Sequence, residues 1–209
     1  MKQTIFFLSL IALFISCSDL SKQEEISDYS KEIYYIDSED LRQGYYVELS
    51  LNGDTISTAN YKDGELEGTR VIYDSTGFVK TIENHKAGVF HGPIITYFAN
   101  GKIQTKGNYT NNTLDSIFYA YYESGELKEK VTVHDNSENG PFEEYFESGQ
   151  VHWKGSFING PNEIGLLLEY DEKGVLIKKM DCGLYLGEYI CQTIWDINKG
   201  DVSLEFEYD

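Results

Sequence analysis

Apolar and polar residues alternate one by one over short stretches of this chain, and Gly-containing turns separate the stretches. Ile103, Thr105, Gly107 and Tyr109 fall on one side of such a stretch, and Gln104, Lys106 and Asn108 on the other. Val151, Trp153, Gly155 and Phe157 oppose His152, Lys154 and Ser156 in the same way. A period of two marks a β-strand with one buried and one wet face. Asn100-Gly101 separates the run Ile94-Ile95-Thr96-Tyr97-Phe98 from the strand that begins at Ile103. That placement predicts a hairpin turn, because Gly takes positive φ without steric cost. Ser124-Gly125, Ser148-Gly149 and Lys173-Gly174 predict the same turn again. Gly107 and Gly155 sit on the apolar side beside aromatics, where a missing side chain lets a ring lie against the backbone.

The hairpins recur in phase. Turn glycines stand at Gly53, Gly77, Gly101, Gly125, Gly149 and Gly174, at steps of 24 residues and a last step of 25. Nine residues before them come Gly44, Gly68, Gly92, Ser116, Gly140 and Gly165. Four residues before them come Leu49, Tyr73, Tyr97, Tyr121, Tyr145 and Tyr170, and eight residues after the first five come Tyr61, His85, Tyr109, Val133 and Phe157. Self-similarity at a fixed short period is the signature of a repeat array in which each unit buries its neighbours. The fold class that follows is all-β: one elongated antiparallel sheet, a meander of repeated hairpins. The pairs Tyr97-Phe98, Tyr121-Tyr122 and Tyr145-Phe146 place one ring on each face of the same strand. Tyr97, Tyr121 and Tyr145 are expected inward, as core. Phe98, Tyr122 and Phe146 are expected outward, as a row able to stack on a sugar or grip a peptide. Cross-strand ring packing is the alternative use of that row.

These phrases resemble the MORN repeat variants of bacterial proteins. The likeness rests on Gly92-Pro93-Ile94-Ile95-Thr96-Tyr97-Phe98-Ala99-Asn100-Gly101, Tyr121-Tyr122-Glu123-Ser124-Gly125-Glu126-Leu127, Lys154-Gly155-Ser156-Phe157-Ile158-Asn159-Gly160 and Tyr61-Lys62-Asp63-Gly64-Glu65-Leu66-Glu67-Gly68. It covers about residues 44 to 177. The resemblance implies an open antiparallel sheet used for protein contacts or membrane association, and for some bacterial members an antitoxin role.

The N-terminus reads differently. Lys2 precedes an apolar run from Ile5 to Ile15, too short to span a bilayer core of ~30 Å as a helix but right for a signal peptide. The run stops at Ser16-Cys17, which resembles the lipobox of bacterial lipoproteins, although Phe14 stands where that family usually has Leu. The resemblance implies cleavage before Cys17 and its acylation, hence anchorage in the bacterial cell envelope. The expected organisation is a signal peptide over 1–16, a polar tether over 17–43, the hairpin array over 44–181 and a C-terminal capping segment over 182–209. Tyr34-Tyr35-Ile36 is a candidate short strand within the tether, and Val202 to Tyr208 alternates as a final one.

Composition supports a β fold: 17 Tyr, 11 Phe and 19 Gly against three Pro. The net charge of −18 argues against nucleic acid as a partner, and no Lys/Arg stripe stands out in the linear sequence to offset it. Cys182 and Cys191 are the cysteines left besides Cys17, and in an exported chain an even pair reads as a disulfide, with two free buried thiols as the alternative. No Cys or His partner at ligand spacing accompanies them, so no metal and no cofactor are expected. His85, His91, His134 and His152 are not paired with a nucleophile signature, and the acids recur with the repeat rather than forming one singular constellation. The expectation is a non-enzymatic envelope lipoprotein that presents its sheet to a protein or glycan partner. The alternative is an antitoxin-type or immunity-type regulator of a cognate effector.

Overall fold

The computed structural model describes residues 19–203. Cys17, the signal peptide and the end of the last expected strand lie outside them. Six hairpins follow one another: Gly44–Ser50 with Thr55–Lys62, Gly68–Tyr73 with Val79–Lys86, Gly92–Tyr97 with Ile103–Thr110, Ser116–Tyr121 with Leu127–His134, Ser137–Tyr145 with Val151–Phe157, and Gly165–Tyr170 with Leu176–Tyr185. Each strand pairs antiparallel with the next in chain order, giving one open 19-stranded meander. The last repeat strand runs past the expected boundary at 182 and pairs with Glu188–Asp196, so the capping segment starts in mid-strand.

The turns repeat atom for atom. The Phe98 N–H donates to Lys102 O at 2.8 Å and the Gly101 N–H to Phe98 O at 2.9 Å, with Gly101 at φ +81°. Tyr122 with Gly125 and Phe146 with Gly149 make the same pair of bonds. Asp74 and Asp171 begin equivalent turns and add a carboxylate that accepts from two further backbone N–H groups. Just after each turn the second strand carries one extra residue, for instance Lys128 opposite Ala120 and Tyr121 and His152 opposite Glu144 and Tyr145. Such bulges add twist and break the strict alternation.

The core lies on one face, called inner below. Its main cluster is Leu114, Val131, Val133, Phe142, Phe157, Leu167 and Cys182, with Tyr109, Phe118, Trp153 and Met180 packed against it. Phe142 stacks on Phe157 with centroids 4.0 Å apart. Gly155 makes room for this: a Cβ there would stand 2.9 Å from Phe142 Cε1 and 2.8 Å from Leu167 Cδ1. The two-residue strands Glu65–Leu66, Val89–Phe90 and Thr113–Leu114 curl back onto the strand before them and cover this face. A second cluster, Tyr34, Tyr46 and Ala59, lies at the N-terminal end. Between the two clusters the inner face mixes Ile72, Phe90 and Ile94 with polar groups: Arg70 pairs with Glu83 at 3.6 Å and buried His85 with the same carboxylate at 3.2 Å.

The expected tether over 17–43 is corrected. Ser21–Ile26 and Ser30–Ile36 form a hairpin that joins the sheet at its N-terminal edge. Arg42 explains why so polar a stretch folds. Its guanidinium lies 4.2 Å from the centroid of the Tyr34 ring and within 5.5 Å of those of Tyr46 and Tyr61, and pairs with Glu32 at 2.9 Å. Three rings and a carboxylate around one cation, together with the burial of Tyr34 and Ile36 against Tyr46 and Ala59, dock the hairpin.

Candidate binding surface

Directly opposed residues in an antiparallel pair share a face, so the register defines rows that run across the strands. On the outer face one row reads Val71, Ile82, Ile95, Lys106, Tyr119, Lys130, Glu143, Lys154, Leu168, Lys179, Trp195. Its C-terminal two thirds carry a lysine on every second strand. The linear sequence shows no basic stripe, but folding assembles one.

Each lysine is held in place. Lys106 Nζ lies 4.8 Å from the centroid of the Tyr119 ring, and Lys179 Nζ 5.4 Å from that of Trp195. Lys130 and Lys154 flank Glu143 at 2.7 and 3.0 Å. The Tyr145 hydroxyl donates to the same carboxylate at 2.5 Å. Lys130 first, then Tyr145 and more weakly Lys154, pull the Glu143 carboxyl down to about 2 against the opposing effect of burial. The same contacts raise the Lys130 ammonium above the ordinary lysine value.

Two shallow grooves open on this face. One of about 400 Å3 runs over Pro93, Ile95, Lys106, Ile117 and Tyr119. The other, about 450 Å3, runs over Ile117, Lys130, Thr132, Pro141, Glu143 and Lys154. They meet at Ile117, whose side chain is 46% exposed. Apolar shelves and cations thus alternate along one trough.

The tyrosine column belongs to this face, which corrects the expectation that Tyr97, Tyr121 and Tyr145 are core. Tyr145 alternates with Phe142 and Glu144, shares its side with Glu143, and bonds to it. The core column is instead Ile94, Phe118, Phe142 and Leu167. The residues expected to form the open row, Phe98, Tyr122 and Phe146, are half-buried at the turn entrances. The Tyr122 hydroxyl donates to Tyr145 O of the next unit at 2.7 Å, and Phe146 packs on His152 with centroids 4.1 Å apart. Tyr122 thus ties its turn to the next unit, while Phe146 packs across its own turn.

Cys182 and Cys191 stand directly opposite each other and are joined as a disulfide. On the inner face Glu129 opposes Glu144 beside Trp153, at the edge of a cleft of about 410 Å3 that also takes in Glu163. Burial, then the Glu144 charge, raises the Glu129 carboxyl above its ordinary value. Yet Glu48, Glu144 and Glu169 occupy one repeat position, which makes these acids part of the array's pattern. No group of three His, Cys, Asp or Glu able to hold a metal occurs among the described residues.

The model of the MORN repeat variant family matches residues 90–111 and 114–135, the two units that carry Lys106, Tyr119 and Lys130. No curated protein matches the chain. Among solved structures the chain is similar to a porin-like protein from Bacteroides uniformis, at 11% identity and a TM-score of 0.26, over 82% of this chain and 92% of that one.

Proposed function

We propose that this array of MORN repeat variants is a non-enzymatic binding lipoprotein, anchored in a bacterial envelope through Cys17, and that the outer face of its sheet takes a protein or glycan partner. The observation that carries the reading is the trough centred on Ile117. A sheet that needs only one covered face keeps its other face free for recognition. Here that face offers two adjoining grooves with apolar floors and fixed cations, the mixture typical of ligand-binding surfaces.

Anchorage and binding are tested separately. Cys17→Ala is expected to move the protein from the membrane fraction to the soluble or uncleaved fraction, and unchanged fractionation with no acyl mass on Cys17 would sink the anchor. Ile117→Glu changes an exposed side chain in mid-trough, so it is expected to leave the unfolding midpoint unchanged while abolishing capture of partners from native envelopes. Retention of every captured species by that variant would place recognition elsewhere.

A further inference from the structure

The lysine row specifies more than a binding face. We propose that it is a track for a linear acidic glycan carrying one carboxylate per disaccharide, lying across the strands along Lys106, Lys130, Lys154 and Lys179. This rests on the outer-face reading above.

Charge is the first ground. The chain has a net charge of −18, yet this row holds four lysines against a single carboxylate, Glu143. Random placement of so few cations would not align them. They stand five residues after Gly101, Gly125, Gly149 and Gly174, so the repeat itself lays them out. A cationic line on an otherwise acidic molecule selects an anion.

Spacing is the second ground. Consecutive lysines lie two strands apart, which puts them ~10 Å apart at the usual interstrand distance. The positions between them are Tyr119, Glu143 and Leu168. Cation and spacer therefore alternate, as charge and neutral sugar alternate in a glycan with a uronate at every second residue. Tyr119 and the flanking Tyr121 and Tyr145 supply rings for the apolar faces of the sugars.

Backbone chemistry is the third ground, and it separates a glycan from a peptide. In mid-sheet every strand is paired on both sides, so the face offers no free main-chain donors or acceptors. A polypeptide lying across it would leave its own N–H and C=O groups unmatched where it is desolvated. A glycan keeps its hydroxyls turned to water and needs only rings and cations beneath it.

Glu143 gives the track an internal competitor. It neutralises Lys130 and Lys154 when the trough is empty. A ligand carboxylate displaces it, so deleting its charge strengthens binding.

The test is titration calorimetry of the purified full-length chain in detergent with hyaluronan oligosaccharides, an alternating uronate polymer, at low ionic strength. Poly-glutamate, single-stranded DNA and anionic phosphatidylglycerol vesicles are the comparison probes. Hyaluronan is expected to bind more tightly with each added disaccharide until four lysines are spanned, and to weaken with salt. Lys106→Gln, Lys130→Gln or Lys154→Gln should each lower affinity about two- to fivefold, the size of one exposed ion pair. Lys154→Arg should restore it, and Glu143→Gln should raise it. Absent binding, binding indifferent to the lysine changes, or tighter binding of poly-glutamate, DNA or vesicles than of hyaluronan overturns the glycan track. If Ile117→Glu still abolishes capture of envelope partners in that case, the outer-face reading stands without it. If Ile117→Glu has no effect either, both fail.

Discussion

Gly155→Ala isolates the close approach on which the inner face depends. Gly155 lies in a regular strand, so alanine fits the backbone and even removes chain entropy from the unfolded state, favouring folding by ~0.4–1 kcal/mol. Sterics oppose this. The new methyl would stand 2.8 Å from Leu167 Cδ1 and 2.9 Å from Phe142 Cε1. Ordinary contact begins near 3.5 Å, so both neighbours must retreat by more than half an ångström. Phe142 is 3% exposed and stacked on Phe157 at 4.0 Å, which leaves it little room. Overpacking of this kind costs ~1–3 kcal/mol. The net expectation is a loss of about 1–2 kcal/mol, and at ~2–4 °C per kcal/mol for a chain of this size the midpoint drops by several degrees. Near-ultraviolet circular dichroism, which senses Trp153 directly, follows the melt. The companion variant is Phe142→Leu. It is destabilising alone, but in the double variant the two losses should be less than additive, because the smaller side chain yields the space. A Gly155→Ala protein as stable as the parent, or a fully additive pair, would refute the claim that ring packing demands this glycine.

Tyr122→Phe should cost about 0.5–1.5 kcal/mol by removing the hydrogen bond to Tyr145 O, measured by urea unfolding, and no cost would mean the hydroxyl is solvated instead. Two carboxyls give opposite pH slopes. Glu143, held near 2, contributes stability that is complete above the ordinary carboxyl value of ~4.3 and is lost as the pH falls towards 2, so Glu143→Gln should flatten the acid limb of the melting curve. Glu129, raised, adds stability below the ordinary value that is lost as the pH climbs through its folded value, so Glu129→Gln should remove a decline on the less acid side. Unreduced mass spectrometry should find Cys182 and Cys191 linked, and Cys191→Ser should lower stability by about 2–4 kcal/mol, with freely alkylated thiols as the contrary result.

The hairpin array was legible because turn chemistry is local. A glycine at positive φ between two alternating runs marks itself, and the period of 24 places all six units. The alternation along Thr105, Gly107 and Tyr109 and along Trp153, Gly155 and Phe157 likewise gave the covered face of the second strands. The first strands were assigned wrongly, and the bulge explains why. One extra residue after every turn uncouples the parity of the two strands, so the tyrosine column, although the most regular, lies opposite the core. The true core column, Ile94, Phe118, Phe142 and Leu167, varies in shape and was less visible. Of the N-terminal hairpin only Tyr34-Tyr35-Ile36 was legible as strand, because the hairpin is held by Arg42 among the rings of Tyr34, Tyr46 and Tyr61 rather than by a sustained alternation. The lysine row left a signal, a constant offset of five from the turn glycines, but its members stand 24 or 25 residues apart and only the pairing register makes them neighbours.

The polar stretch of Arg70, Glu83 and His85 sets where the array holds together least. Repeat proteins unfold as one body only when every interface between units is strong enough to propagate order. The tyrosine-rich N-terminal cluster and the larger cluster from Leu114 to Cys182 share no buried residue: an ion pair and an imidazole stand between them, and half-buried Phe90 and Tyr109 link that imidazole to the larger cluster alone. Heating or denaturant should therefore melt the two ends in separate steps, the smaller one first, with amide exchange fast up to about Lys86 and slow beyond Leu114. The same weak joint lets one end of the sheet twist against the other without breaking either core, so a molecule held at one end keeps the trough around Ile117 rigid while its base gives way.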